Sequence, residues 1–196
     1  MTPLETAQLE LETERLRLIP FSLADLDIAQ ALLCDRDVMR YVADPMSPEH
    51  VADNMHNYAK RGAGGRIGIW CVTRKDTGQK IGDCVLLPVP IETEEYDWDL
   101  LSEHAYPDAY IEVGYLLIPE AWGQGYATEI CARLLRFAFE ETSLDRVVAT
   151  TDNENHKSRH VLGKCGFQLK GRRRAYGYDN VDWFEIERGD WRPDAV

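Results

Sequence analysis

Apolar and polar positions alternate through LRLIP at residues 16–20, which predicts a first strand, and the spacing changes at once in the following SLADLDIAQALLCD. Ser22 stands ahead of Leu23, Leu26, Ile28, Ala29 and Leu32 at helical intervals, so a capped amphipathic helix follows. Ser47-Pro48-Glu49 opens a second helix with a capping hydroxyl and a proline at the first helical position; it runs toward Lys60 until RGAGG stops it. IGIWCVT at 67–73 and KIGDCVLL at 80–87 read as strands joined by RKDTGQ, whose Asp-Thr-Gly centre suits a hairpin turn.

From 88 to 110 periodicity is lost, and Glu92, Glu94, Glu95, Asp97, Asp99, Glu103 and Asp108 occur without one Lys or Arg. This acidic excursion is either a solvated loop or the border of a substrate site. The apolar run at 111–118 is a buried strand. Residues 126–141 form the strongest helix, with Ala127, Ile130, Cys131, Leu134, Leu135, Ala138 and Phe139 on one stripe. A short strand at 147–151, a short helix at 155–164 and closing strands at 167–173 and 181–187 complete the order β-α-α-β-β-β-α-β-α-β-β. The expectation is one α/β domain over residues 1–196, a mixed sheet flanked by helices.

Composition narrows the partners. With 44% hydrophobic and 29% charged residues the chain is an ordinary soluble globular one, long enough at 196 residues to bury a core without disulfide or metal support. A formal net charge of -12 argues against nucleic acid and fits a cationic or amine-bearing partner, with solubility alone as the plainer explanation. The five cysteines are odd in number and hold no CxxC pair, as reduced core thiols of a cytoplasmic protein would be. The start MTPLETAQLELETERLRL lacks a basic region followed by an apolar one, and no apolar run nears the roughly 20 residues of a membrane span. Secretion and membrane insertion are therefore not expected. Nothing decides between monomer and homodimer.

The chemistry concentrates in WGQGYATE at 122–129, where a buried strand gives way to a helix. Gly123 and Gly125 strip side chains from a turn whose amides can then face an anion, helped by the positive end of the helix dipole. A Walker loop would need Gly-Lys-Ser/Thr, and no lysine is present. A Rossmann fingerprint would need a third glycine where Thr128 stands and an acid at the end of the next strand, whereas Asp145 precedes it. What remains is a strand, a glycine-rich turn without a cation and a long helix, which together could hold a pyrophosphate with backbone alone.

EVGYLLIPEAWGQGYATE at 112–129 resembles the coenzyme A pyrophosphate loop of the GCN5-related N-acetyltransferases (GNAT), in particular the RimJ/RimL-type branch that acetylates N-terminal amines of ribosomal proteins. An independent match follows in NHKSRHVLGKCGF at 155–167, which resembles the later motif of that family: an Asn, a small or hydroxyl residue three on, and a helix ending in Gly-Phe. With the opening LETERLRLIPFSLADL, the resemblance covers nearly the whole chain.

The resemblance implies a mostly antiparallel GNAT sheet, acetyl-CoA as co-substrate, no metal, and an amine acceptor: a protein N-terminus or a small cationic molecule. Leu116, Leu117 and Ile118 match positions that bind the pantetheine arm as an added strand would. Gly123, Gln124, Gly125, Tyr126, Ala127 and Thr128 match the pyrophosphate cradle. Gly114 is expected to bulge and open the cleft, or else to pack closely within the strand. Free amines are mostly protonated at neutral pH, with reference pKa values of about 8 for an α-amine and about 10.4 for lysine, so a base is needed. Glu112 matches that base, with an edge-facing surface glutamate as the alternative; a backbone amide near Leu117 would hold the oxyanion.

Many members place a tyrosine seven residues after the helix-motif asparagine to protonate the thiolate; here that place is Leu162. The RimJ/RimL branch uses the serine three residues on, so Ser158 takes the thiol-facing role. Asn155 takes a hydrogen bond to pantetheine, with helix capping as the alternative for both. Tyr176 and Tyr178 are further acid candidates. His156 and His160 have zinc-pair spacing without the acid of HExxH. Cys165 lacks a histidine-acid pair to make it an acyl carrier. Arg172–Arg174 reads as a solvated strand end, or as a contact for acidic substrate or ribose phosphate. A protein of this fold that binds acyl-CoA without turnover, as a sensor or scaffold, is the rival reading.

Overall fold

The computed structural model describes residues 2–193. Along the chain run α1 (Thr6–Leu9), β1 (Leu11–Glu12), β2 (Leu16–Pro20), α2 (Leu26–Leu33), α3 (Arg36–Met39), α4 (Pro48–Tyr58), β3 (Arg61–Gly62), β4 (Ile67–Arg74), β5 (Lys80–Pro88), β6 (Ile111–Leu117), α5 (Tyr126–Glu140), β7 (Arg146–Thr151), α6 (His156–Lys164), β8 (Gln168–Ala175) and β9 (Tyr178–Glu187). The strands form one sheet in the order β1-β2-β4-β5-β6-β7-β9-β8, with β3 beside β4. Every pairing is antiparallel except β6 with β7. The predicted order holds with four additions, α1, β1, α3 and β3, each of two to four residues and too short to carry a period.

Ser47 caps α4 as foreseen, accepting from the His50 amide at 3.1 Å ahead of Pro48, whereas Ser22, accepting from the Ala24 amide at 3.3 Å, caps the 3-10 turn Leu23–Asp25 that leads into α2. The α5 stripe buries Ile130, Cys131, Leu134, Leu135, Ala138 and Phe139 against Trp70, Leu86, Val113 and Val147 on one sheet face. Each buried Ile, Leu or Phe among them contributes about 1.5–3 kcal/mol. On the other face Ile28, Ala29 and Leu32 of α2 and Val51 and Met55 of α4 cover Ile69, Cys71 and Leu87. Covered on both sides, β4 is buried from Ile67 to Val72, which is why it reads as a continuous apolar run.

The edge strand β8 is exposed at every position but Ala175. Its arginines are paired rather than free: Arg172 meets Asp182 at 3.3 Å, Arg173 meets Glu185 at 3.3 Å and Arg174 meets Asp179 at 2.9 Å. All five cysteines are free, and all but Cys34 are buried. Among the described residues no helix is long and apolar enough to cross a membrane.

For Gly114 the structure decides between the two readings. The β5–β6 register runs without a shift, with Gly114 opposite Val85, and an added Cβ would lie 3.0 Å from the Val85 Cγ2. The glycine serves close packing, not a bulge. The cleft opens along the other edge of β6, where Glu112 with Val148 is the single pair joining β6 to β7.

Candidate active site and coenzyme cleft

Successive residues of a strand point their main-chain groups to opposite edges. The Ile118 amide donates to the Ile81 carbonyl at 3.0 Å, so Ile118, Leu116, Gly114 and Glu112 face β5, and Leu117, Tyr115 and Val113 face β7. Beyond the Glu112–Val148 pair, the outward main chain of Tyr115 and Leu117 has no strand opposite it among the described residues. The Leu117 carbonyl instead accepts from Trp122 Nε1 at 2.7 Å. Of the three residues matched to the pantetheine arm, only Leu117 turns main-chain groups into this gap. The Ile118 amide and carbonyl are both engaged, the carbonyl by the Ala121 amide at 3.0 Å, so Leu116 and Ile118 offer side chains.

The turn follows directly. Gly123 and Gly125 have φ of 72° and 83°, backbone that side-chain-bearing residues rarely adopt. Nothing lies within 4 Å of a Cβ built on Gly123, and only Arg15 Nη2, at 3.5 Å, near one on Gly125. The amides of Gly123, Gln124, Gly125, Tyr126, Ala127 and Thr128 have no acceptor among the described residues, and those of Tyr126 to Thr128 open the first turn of α5. Orphan donors at a helix start beside a strand gap form an anion cradle. Two cations approach it that the pattern did not place there. Arg15 donates to the Gln124 carbonyl at 3.0 Å, lies over the Tyr126 ring and pairs with Glu129 at 2.6 Å, so its charge is met. Lys157 of α6 sits 5.2 Å over the Trp122 ring.

On the sheet face covered by α2 and α4, Glu112 is 4% exposed. Burial raises its pKa to about 7, against the donors Tyr96, at 2.8 Å on Oε1, and Thr150, at 3.2 Å on Oε2. The Tyr96 hydroxyl itself accepts from Tyr176 at 2.8 Å. The rings of Tyr58, Trp98, Tyr96 and Tyr176 form a row, with successive centroids 5.7, 5.4 and 5.5 Å apart. Asp83, opposite Leu116 on β5, shares this face; burial raises it also to about 7, opposed by the Leu116 amide.

On the opposite face Ser158 lies 3.2 Å from the Tyr115 hydroxyl, whose pKa burial raises. Asn155 Oδ1 caps α6 by accepting from the Ser158 amide at 3.1 Å. Leu162 is buried in the core. Cys165 is buried with its Sγ 3.7 Å from the Thr128 carbonyl, and His156 and His160 face solvent. No group of three or more His, Cys, Asp or Glu could hold a metal ion among the described residues.

A family model for the acetyltransferase (GNAT) domain matches residues 15–168. The chain belongs to the GNAT family. It is similar to FsC-acetyl coenzyme A-N(2)-transacetylase of Aspergillus fumigatus, 33% identical over 162 residues, covering 82% of this chain and 65% of that protein. It is also similar to an uncharacterized N-acetyltransferase, YoaA, of Bacillus subtilis, 28% identical over 87% of this chain and 89% of the relative. Among solved structures, the spermidine N-acetyltransferase of Vibrio cholerae in complex with CoA and spermine shares the fold, with a TM-score of 0.67 at 19% identity over 89% of this chain and 96% of that one. The chain is thus an acetyl-CoA-dependent N-acyltransferase, built on the mixed, mostly antiparallel GNAT sheet.

Within this GNAT fold Glu112, Leu117 and the 123–128 turn border one gap, and Ser158 stands on α6, which follows β7 across it. Tyr178, 55% exposed in β9 beside the β8–β9 turn, stands apart. Tyr176 joins the Glu112 network rather than Ser158. Sequence reading missed Tyr96, Thr150, Tyr115 and Asp83. Strand alternation places Thr150 on the Glu112 face and Tyr115 on the opposite one, so both carried a signal; Tyr96, in an aperiodic segment, carried none.

Proposed function

We propose that this GNAT protein moves the acetyl group of acetyl-CoA directly to a primary amine of a cationic acceptor, with Glu112 as the base. The observation that carries the reading is Glu112 itself: a buried carboxylate held by Tyr96 and Thr150, at the last pair before β6 and β7 part. The diphosphate would rest on the amides of residues 123–128, and the pantetheine arm beside Tyr115 and Leu117. A carboxylate with a pKa raised to about 7 is matched to removing a proton from an ammonium near neutral pH. The freed amine attacks the thioester carbonyl, whose developing oxyanion the Leu117 amide is turned to meet. The carbon–sulfur bond then breaks as the nitrogen, cationic after its attack, gives up its second proton, which Ser158, hydrogen-bonded to Tyr115, relays to the departing thiolate. The serine role is the RimJ/RimL-type reading, and it answers for the absent tyrosine at Leu162.

The acceptor class follows from the surroundings of the base. Asp83 and the aromatic row share the face of the base, and the acidic segment 92–108 supplies Tyr96 and Trp98 to that row, surroundings suited to a second positive charge. A spermidine N-acetyltransferase among the structural neighbours supports a small polyamine-like acceptor; a basic protein N-terminus offers the same chemistry.

The test is thiol release from acetyl-CoA with a panel of linear polyamines and basic peptides, using native protein, Glu112→Gln and Ser158→Ala. Turnover that Glu112→Gln loses supports the reading. Tight acetyl-CoA binding with no turnover on any acceptor would make the chain an acyl-CoA sensor instead.

A further inference from the structure

Tyr176 stands in a conformation its residue type disfavours. Its φ is +55°, followed by Gly177 at +77°, in the two-residue turn between β8 and β9. Such turns take Asn-Gly or Gly-Gly, because left-handed backbone crowds a side chain. A residue retained against that preference points to a task for its side chain. Here the turn is docked, not free. The Tyr176 amide donates to the Pro90 carbonyl at 2.9 Å, and a Cβ on Gly177 would lie 2.7 Å from the Glu94 Cγ. The side chain reaches inward, where its hydroxyl donates to Tyr96, which donates to Glu112, each at 2.8 Å.

We propose that Tyr96 and Tyr176 are positioning residues for the reaction, a two-tyrosine donor chain that aims the Glu112 carboxylate and sets the pH at which it takes the acceptor's proton. The chain has one direction. Tyr176 donates its hydroxyl proton inward to Tyr96, so Tyr96 must point its own at the carboxylate, and donors in series polarise one another. Neither tyrosine belongs to the sheet's central strands: Tyr96 comes from the acidic segment between β5 and β6, and Tyr176 from the far hairpin. The base is therefore complete only when both segments close on each other.

The other groups facing Glu112 do not supply this control. Thr150 of β7 donates to its second oxygen and is neutral. Asp83 of β5 shares the face four register steps away and would only oppose ionisation. Glu185 of β9, beyond Val148, is met by Arg173 and Arg146 at 3.3 and 3.9 Å. Tyr96 is thus the donor whose loss moves the titration most.

The inference rests on Glu112 being the base, and the experiment separates the two claims. The Glu112 carboxyl is titrated by carbon NMR in selectively labelled protein, assigned by its disappearance in Glu112→Gln, alongside the pH profile of kcat/KM with the best polyamine of the panel. Removing a donor from a carboxylate disfavours its charged form, so Tyr96→Phe should raise the titration midpoint by about one pH unit, with the acid limb of kcat/KM moving equally. Tyr176→Phe should move both in the same direction by less. Tyr176→Asn suits the left-handed turn, so it should melt no lower than native yet show the same shift as Tyr176→Phe. Midpoints unchanged in Tyr96→Phe and both Tyr176 variants, as a purely structural role requires, would overturn the proposal. Persisting acetylation by Glu112→Gln would instead overturn the assignment of the base.

Discussion

Glu112 and Asp83 are carboxylates that the fold keeps out of water, and each leaves a measurable trace. For Glu112 the trace is kinetic. With Glu112 as the proposed base it is the ionised form that accepts the proton, so kcat/KM should fall as pH drops through about 7, where burial places the group. Glu112→Gln should lower kcat/KM by roughly 10²–10⁴-fold while the acetyl-CoA Kd stays within about threefold, as stopped-flow and calorimetry would read. For Asp83 the trace is thermodynamic. Its folded pKa of about 7 lies above the unfolded value, so between these the native state keeps a proton that the unfolded chain has lost, and stability declines as pH rises through that window. Above it the buried charge is a standing penalty. Asp83→Asn should therefore stabilise the fold at pH 8 by on the order of a few kcal/mol, read as a higher melting temperature, and change it little at pH 4. Equal effects at both pH values would contradict the burial argument.

Elements explain which of these residues could be seen in advance. The turn before α5 was legible because glycine at 123 and 125 answers a backbone need, positive φ, that few residues meet. Gly125→Ala should destabilise the fold by about 1–2 kcal/mol and weaken acetyl-CoA binding, as denaturant melts and calorimetry would show. Asn155→Ala, which removes the α6 cap, should cost about 1 kcal/mol in the same melts. Caps, stripes and hairpin turns likewise announced α2, α4, α5, β4 and β5, because local periodicity and capping chemistry determine them. Gly114 left two readings open, because the same residue type serves a bulge or a close approach, and only the neighbour at Val85 decides for the second. Tyr96 was illegible because its partner is Glu112, 16 residues away across an aperiodic segment, and no local pattern encodes such a contact. The β8 arginines showed their charge in sequence but not their partners, since pairing depends on the register with β9.

At the scale of the molecule, a sheet that is antiparallel but for one adjacent pair creates a single place where neighbouring strands run parallel and separate, and that place holds the turn, Glu112 and the approach to Ser158. Ligands of open sheets collect at such points, beyond the carboxyl ends of the strands. If the acceptor is cationic as proposed, the net charge of -12 acts on it and on the anionic coenzyme with opposite sign. Raising ionic strength from about 0.01 M to 0.15 M, which shortens the screening length from about 30 to about 8 Å, should raise KM for a polycationic acceptor. The same change should lower or leave unaltered the Kd of the anionic coenzyme. Coenzyme binding on the proposed reading turns most on the main-chain amides of residues 123–128, and amide NMR during an acetyl-CoA titration reports on them most directly. The amides of Gly123 to Thr128 should shift downfield and saturate together with those of Tyr115 and Leu117; saturable binding that leaves these resonances in place would contradict it.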